Sequence, residues 1–215
     1  MTRGFAVVQV LGVIALAIMT AWIATTKSMH FPMALRDQHW VCDMGQGHRW
    51  YPSTLDADAD AWYSSALRAA REPSLYLASL DAEAEPVEVV RFTWLRSFHD
   101  PIVVRVDQTT DGVTRMTATQ MYMGLPRDGR AYRQVARQLS AEEATAFKNL
   151  VATGGLSEAL PIGCNGWLDG AEWIIERSRT GHYAYWNRRS PDEGPVRDVG
   201  LMMLKLTGWS VEPVY

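Results

Sequence analysis

The stretch from Phe5 to Ala24 (FAVVQVLGVIALAIMTAWIA) constrains this chain more than any other feature, with Gln9 and Thr20 its only clearly polar side chains. Twenty helical residues span about 30 Å, the thickness of a bilayer's hydrocarbon core. Trp22, near the far end, has the amphipathic ring that sits at headgroup level. A cleaved signal peptide is the competing reading, but such peptides have a shorter apolar region and a small-x-small cleavage site. Ala15-Leu16-Ala17 carries that pattern inside the run, and cleavage after Ala24 puts bulky Trp22 at the −3 position. The expectation is an uncleaved anchor over residues 1–28, holding the chain in a lipid bilayer through residues 5–24. Arg3 stands before the run and Lys27 and Arg36 after it, so the positive-inside bias is weak. A short N-terminal stub usually stays inside, which places the domain outside the cytoplasm.

The chain beyond the anchor is long enough to bury its own core without needing a metal or a disulfide to fold, and no metal or cofactor is expected. Of the 215 residues, nine are Trp and eight are Tyr, spread along the chain as packing residues are. Setting Arg3 and Lys27 aside leaves 19 basic against 24 acidic side chains. No basic stripe tracks a phosphate backbone, so nucleic acid is excluded as a partner. Cys42 and Cys164 suit an extracytoplasmic domain and suggest one long-range disulfide; two free buried thiols are the alternative.

Residues 29–55 show no clean period and are broken by Pro32, Gly45 and Gly47, which reads as an irregular, aromatic-rich connector packed on the domain. A short strand is expected near Trp40. The domain itself is expected over residues 56–215. Asp56 caps a helix to about Glu72, with Ala59, Trp62, Tyr63, Ala66, Leu67 and Ala70 on its buried face. Leu75 to Leu80 reads as a short strand. Val87 to Arg96, Ile102 to Asp107 and Val113 to Tyr122 are rich in β-branched and aromatic residues and form a meander. Ser140-Ala-Glu-Glu143 is a capping box opening a second helix. A hairpin comes next, Glu172 to Arg177 and His182 to Trp186 about a Thr180-Gly181 turn, and Pro195 opens a last helix through about Leu206. Strands and helices come in groups. The fold class is therefore α+β: a transmembrane helix, then one domain with an antiparallel or mixed sheet, about three helices and those helices on one face.

The segment Leu168-Asp-Gly-Ala-Glu-Trp-Ile-Ile-Glu176, then Tyr183, then Arg189-Ser190-Pro191 and a closing apolar helix, resembles an uncharacterised family of bacterial membrane-anchored envelope proteins with a DGAxWxxE … RxSP pattern. Arg91 to Pro101 followed by Val103 to Val106 fits the same family. The resemblance covers about Val87 to Gly208 and implies no activity. The chain departs from the pattern at Arg188-Arg189-Ser190, where the family often has Arg-Trp-Ser. With the anchor, the resemblance implies a bacterial inner-membrane protein, single-pass, with its soluble domain facing the periplasm.

Several side-chain groups are candidates for chemistry. Arg188, Arg189 and Arg197, around Ser190-Pro191 and Gly194-Pro195, are the candidate recognition group, because an arginine fork clamps a carboxylate or phosphate in two places. An ion-pair network with Asp192, Glu193 and Asp198 is the plainer reading of the same charges. His39, Cys42, Asp43 and His48 are metal-ligand types at loose spacing, which favours a folded loop over a zinc site. Cys164 in Gly163-Cys-Asn-Gly166 needs a His, such as His182 or His99, to act as a nucleophile, and nothing local supplies one. Asp169, Glu172 and Glu176 are the acidic members of the family-like segment, with a turn and solvent-facing or arginine-paired glutamates as their structural reading. No nucleophile elbow, zincin, phosphate-loop or dinucleotide motif is present. The expectation is non-enzymatic binding of a protein or an envelope component. The alternative is a small envelope hydrolase using Glu176 or Asp169 with His182.

Overall fold

The computed structural model of the chain describes residues 30–83, 85–122, 131–164 and 169–215. The apolar run Phe5–Ala24 lies outside them, and among the described residues no helix is long and apolar enough to cross a membrane.

The first of the described segments begins with a hairpin arm. Helix α1 (Ala34–Asp37) leads into strands β1 (Cys42–Asp43) and β2 (Arg49–Trp50), which pair antiparallel with Cys42 opposite Trp50. The pairing continues through Trp40 N–H to Pro52 O and a His39–Ser53 bridge, so the expected short strand near Trp40 is part of a longer ladder. At its tip Gly45 and Gly47 take positive φ, which closes the turn without a Cβ clash.

Helix α2 (Ala57–Ala69) is capped by Asp56, whose side chain accepts from Ala59 N–H at 2.8 Å. Its buried residues are Tyr63, Ser64 and Leu67, whereas Trp62, expected inside, is 45% exposed. Ser64 takes the inward position because its hydroxyl donates to Asp60 at 2.8 Å and needs no outside partner. Leu75–Ser79, expected as a strand, is helix α3. Ser74 caps it by accepting from Leu77 N–H, and Leu75 and Ser79, four apart, share the buried side.

Six strands then form one antiparallel sheet: β3 (Glu88–Arg96), β4 (Ile102–Gln108), β5 (Thr114–Met121), β6 (Ala131–Gln138), β7 (Ala171–Arg179) and β8 (His182–Arg189). Their spatial order is β6-β5-β4-β3-β7-β8. Helix α4 (Ala141–Thr153) opens with the expected Ser140–Glu143 capping box, and α5 (Pro195–Leu206) opens on Pro195. The domain is thus α+β, its six named strands pairing antiparallel, with one isolated parallel bridge from Ile162 to Asn187 at the β8 edge.

Helices cover both faces, not one. On the first face Phe92, Trp94, Ile102, Val104, Met116, Trp173 and Ile175 meet Phe147 and Val151 of α4 and Val196, Val199 and Met203 of α5. The rings of Trp94 and Trp173 lie 5.3 Å apart, centroid to centroid. On the second face Leu95, Val103, Met121, Ile174 and Tyr185 meet Tyr63 and Leu67 of α2, with Phe31 and Leu55 from the arm. Alternation along each strand sends neighbouring residues to opposite faces, so both faces hold buried side chains and both need a cover.

Candidate functional site

A cleft of about 440 Å³ opens on the second face, between the arm and the open end of the β7–β8 hairpin. One wall is Trp50, Pro52 to Asp56, Ala59 and Tyr63; the other is Ile162, Gly163, Glu172, Asn187 and Arg189. That is the size of a small-molecule site, with convergent polar groups on a pre-formed scaffold.

The hairpin sets the polar pair. A two-residue turn at Thr180-Gly181 fixes the register, which places Glu172 opposite Arg189. Arg189 Nε stands 3.1 Å from Glu172 Oε1. Tyr63 reaches the same spot from α2, where its hydroxyl accepts from Asn187 Nδ2 at 3.1 Å, and Asn187 Oδ1 is buried without a partner. Burial pushes the Glu172 carboxyl above the usual range; Arg189, Asn187 and Tyr63 pull it back, and the Asp56 charge adds to the rise. The same burial, with the Glu172 charge next, raises the Tyr63 phenol well above its ordinary value.

A disulfide ties the two walls. Cys42 of β1 is bonded to Cys164, next to Gly163, with Cα atoms 5.3 Å apart and a sequence separation of 122. The long-range bond expected from the sequence is present, and both sulfurs are consumed by it. A nucleophilic Cys164 and a thiolate ligand at Cys42 are thereby ruled out. His39 turns its Nδ1 to Asp37 O at 2.9 Å, and among the described residues no three His, Cys, Asp or Glu side chains gather as metal ligands. Closing so long a loop is worth roughly 4–5 kcal/mol on the chain-entropy model, an upper value.

The arginine group does not hold together. Arg188 and Arg189 are neighbours on β8 and point to opposite faces. Arg188 donates to Asn187 O and Leu160 O, both at 2.7 Å. Arg197 donates to Pro191 O at 2.6 Å and lies over the Trp173 ring at 5.5 Å. Of the three, Arg189 alone lines the cleft, where it faces Glu172.

Glu176 and His182 are not brought together either. Glu176 is fully buried on the second face, where Arg91 donates to its Oε2 from Nε at 2.9 Å and from Nη2 at 2.7 Å. Tyr183 O–H donates to Oε1 at 2.9 Å. Burial raises the Glu176 carboxyl, against the pull of Arg91 and Tyr183. His182 is exposed and pairs with Arg179, on the opposite parity of the hairpin and so on the other side of the sheet. Asp169 is exposed in the bend before β7. The hydrolase constellation therefore has no geometry behind it.

Sequence reasoning missed Arg91, Tyr63, Asn187 and Trp50 as members of these clusters. For the Glu172–Arg189 pair a signal existed, because the hairpin turn alone fixes that register. For Tyr63 and Trp50, which arrive from distant elements, it did not. Fold and cleft together define an α+β domain with a polar, aromatic-rimmed cleft stapled by a disulfide. Set against known protein families, characterised proteins and solved structures, the chain matches none.

Proposed function

We propose that the chain is a single-pass protein of the bacterial inner membrane, held by residues 5–24, whose domain faces the periplasm and binds a partner from the envelope in the Trp50–Arg189 cleft. The observation that carries this is the cleft itself: a pre-formed cavity in which Glu172, Arg189, Asn187, Tyr63 and Asp56 converge. The disulfide that ties its walls supports an oxidising compartment. The likeness of the DGAxWxxE segment to envelope proteins supports the same placement. Binding fits better than hydrolysis, because the carboxylate wholly inside the domain, Glu176, is pinned by Arg91 and Tyr183 away from the cleft.

The test places a photoreactive phenylalanine derivative at Trp50 in the full-length chain, expressed in living bacteria. Irradiation is expected to give a discrete adduct, weakened by Arg189→Ala. The same probe at Leu201, exposed on α5 beyond the opposite face, is expected to give none. Equal labelling from both positions, or none from Trp50, overturns the cleft as the binding site. Extraction of the full-length chain by a carbonate wash overturns the anchor separately.

A further inference from the structure

The chemistry of the lining narrows the ligand, on the reading that this cleft is the binding site. We propose that the cleft takes a short neutral saccharide of about disaccharide size.

Three features point there. First, donors and acceptors stand side by side in the cavity, Glu172 beside Arg189 and Tyr63 beside Asn187. Glu172 and Asp56 accept, the Arg189 guanidinium donates, and the Tyr63 hydroxyl and Asn187 amide do both. Asp56 offers one carboxylate oxygen to Ala59 N–H, and the other has no hydrogen bond among those of the described residues. A ligand matched to this pattern must donate and accept at adjacent atoms, as vicinal hydroxyls do. An ammonium ion only donates and a phosphate mainly accepts. Second, little charge is left over: Glu172 and Asp56 against Arg189 leave one net negative charge. Glu172 is already engaged by Arg189 at 3.1 Å, so the cleft holds no concentrated charge for an ionic ligand to neutralise. Planar carboxylate, amide and guanidinium forks instead suit paired hydrogen bonds to neighbouring oxygens.

Third, Trp50 lines the rim and is 44% exposed, on a two-stranded arm fixed by Cys42 beside it. An exposed indole offers a flat apolar surface with a polar N–H at its edge, which is what the C–H face of a sugar ring stacks upon. Fewer large apolar side chains line the cleft than polar ones, which disfavours an acyl chain.

The full-length chain in lipid nanodiscs, free of sugar-based detergent, is titrated with cellobiose, maltose and N,N′-diacetylchitobiose and followed by saturation-transfer NMR. At least one disaccharide is expected to show transfer at millimolar concentration. Trp50→Ala is expected to abolish it, Trp50→Phe to retain part of it, and Glu172→Gln to weaken it about tenfold, the loss of a hydrogen bond to a charged group. The same sugar is expected to suppress the photo-adduct from position 50. Absence of transfer from all three sugars, transfer unchanged in Trp50→Ala, or binding of spermidine in their place overturns the saccharide. If the Trp50 adduct persists while every sugar fails, the cleft stands as a binding site and only its ligand class falls. If both are lacking, both readings fall.

Discussion

The two faces of the sheet are made from the same strands and are built on different principles. On the α4–α5 face the buried residues are mostly aromatic and aliphatic, with Phe92, Trp94 and Trp173 in mutual ring contact, and the polar ones, Arg96, Thr114 and Gln120, sit at the strand ends. On the α2–α3 face an apolar patch shares the surface with buried charge. Arg91 bridges Glu176 and Pro73 O and lies 3.6 Å from Glu72, which in turn meets Arg105 at 3.2 Å. The cleft pair Glu172–Arg189 is on that same face. A dry face contributes stability in proportion to the area it buries. Buried ion pairs contribute little net stability and are costly to break singly. The first face thus holds the domain together, and the second shapes the site.

The largest effect expected from breaking that contrast is at Glu176. Glu176→Leu leaves the Arg91 guanidinium buried without its carboxylate, and is expected to cost about 3–5 kcal/mol in urea unfolding. Joining it to Arg91→Met is expected to return most of the loss, since a similar apolar volume replaces the pair. A double variant as unstable as the single would mean that the pair stabilises the fold in its own right.

A smaller loss is expected on the first face, where tight packing replaces charge. A Cβ on Gly200 of α5 meets the Trp173 ring at 2.7 Å and Phe92 at 3.1 Å. Gly200→Ala is expected to destabilise by about 1–3 kcal/mol, as overpacking does, with no change in pH dependence. A neutral substitution would show that α5 shifts freely over the sheet.

The third expectation concerns pH, where the second face supplies the buried titrating groups His30 and Glu176. Burial, then the charges of Arg91 and Arg68, lower His30 from 6.5 to about 4, with Asp60 opposing. The folded state keeps His30 neutral where the unfolded chain takes up a proton. Its contribution is therefore complete above pH 6.5 and is lost as pH falls toward about 4. The Glu176 carboxyl works in the opposite sense: raised from 4.5, it contributes below that pH and loses its contribution as pH rises. His30→Gln is expected to flatten the fall in melting temperature between pH 6.5 and 4. Parallel profiles for the two proteins would show that His30 does not set that fall.

The same contrast explains what the sequence made legible. Strands β3, β4 and β5 announce themselves through β-branched and aromatic runs, and the Ser140 capping box and Pro195 mark their helices. Strand β6 (AYRQVARQ) carries no such run, because an edge strand is held largely by its ladder to β5 and needs few apolar side chains. Leu75–Ser79 is too short for its period to distinguish strand from helix. The polar cluster is the least legible part. Glu172 and Arg189 are linked by hairpin register, but Arg91 meets Glu176 only because β3 and β7 are neighbours, 85 residues apart in the chain. A helix face predicted from apolar spacing alone put Trp62 inside and overlooked Ser64, for the same reason: local period registers hydrophobicity, and polar partners are chosen by tertiary contact.

That the second face is built for binding is tested most directly by combining Glu172→Leu with Arg189→Met. This double variant is expected to melt close to the temperature of the unaltered protein, since an apolar pair replaces an ion pair whose carboxylate is buried and whose guanidinium is partly exposed, and to lose the photo-adduct from position 50. A double variant that melts well below the unaltered protein and keeps the adduct would refute the binding role, and would make the cleft pair a structural element of the fold.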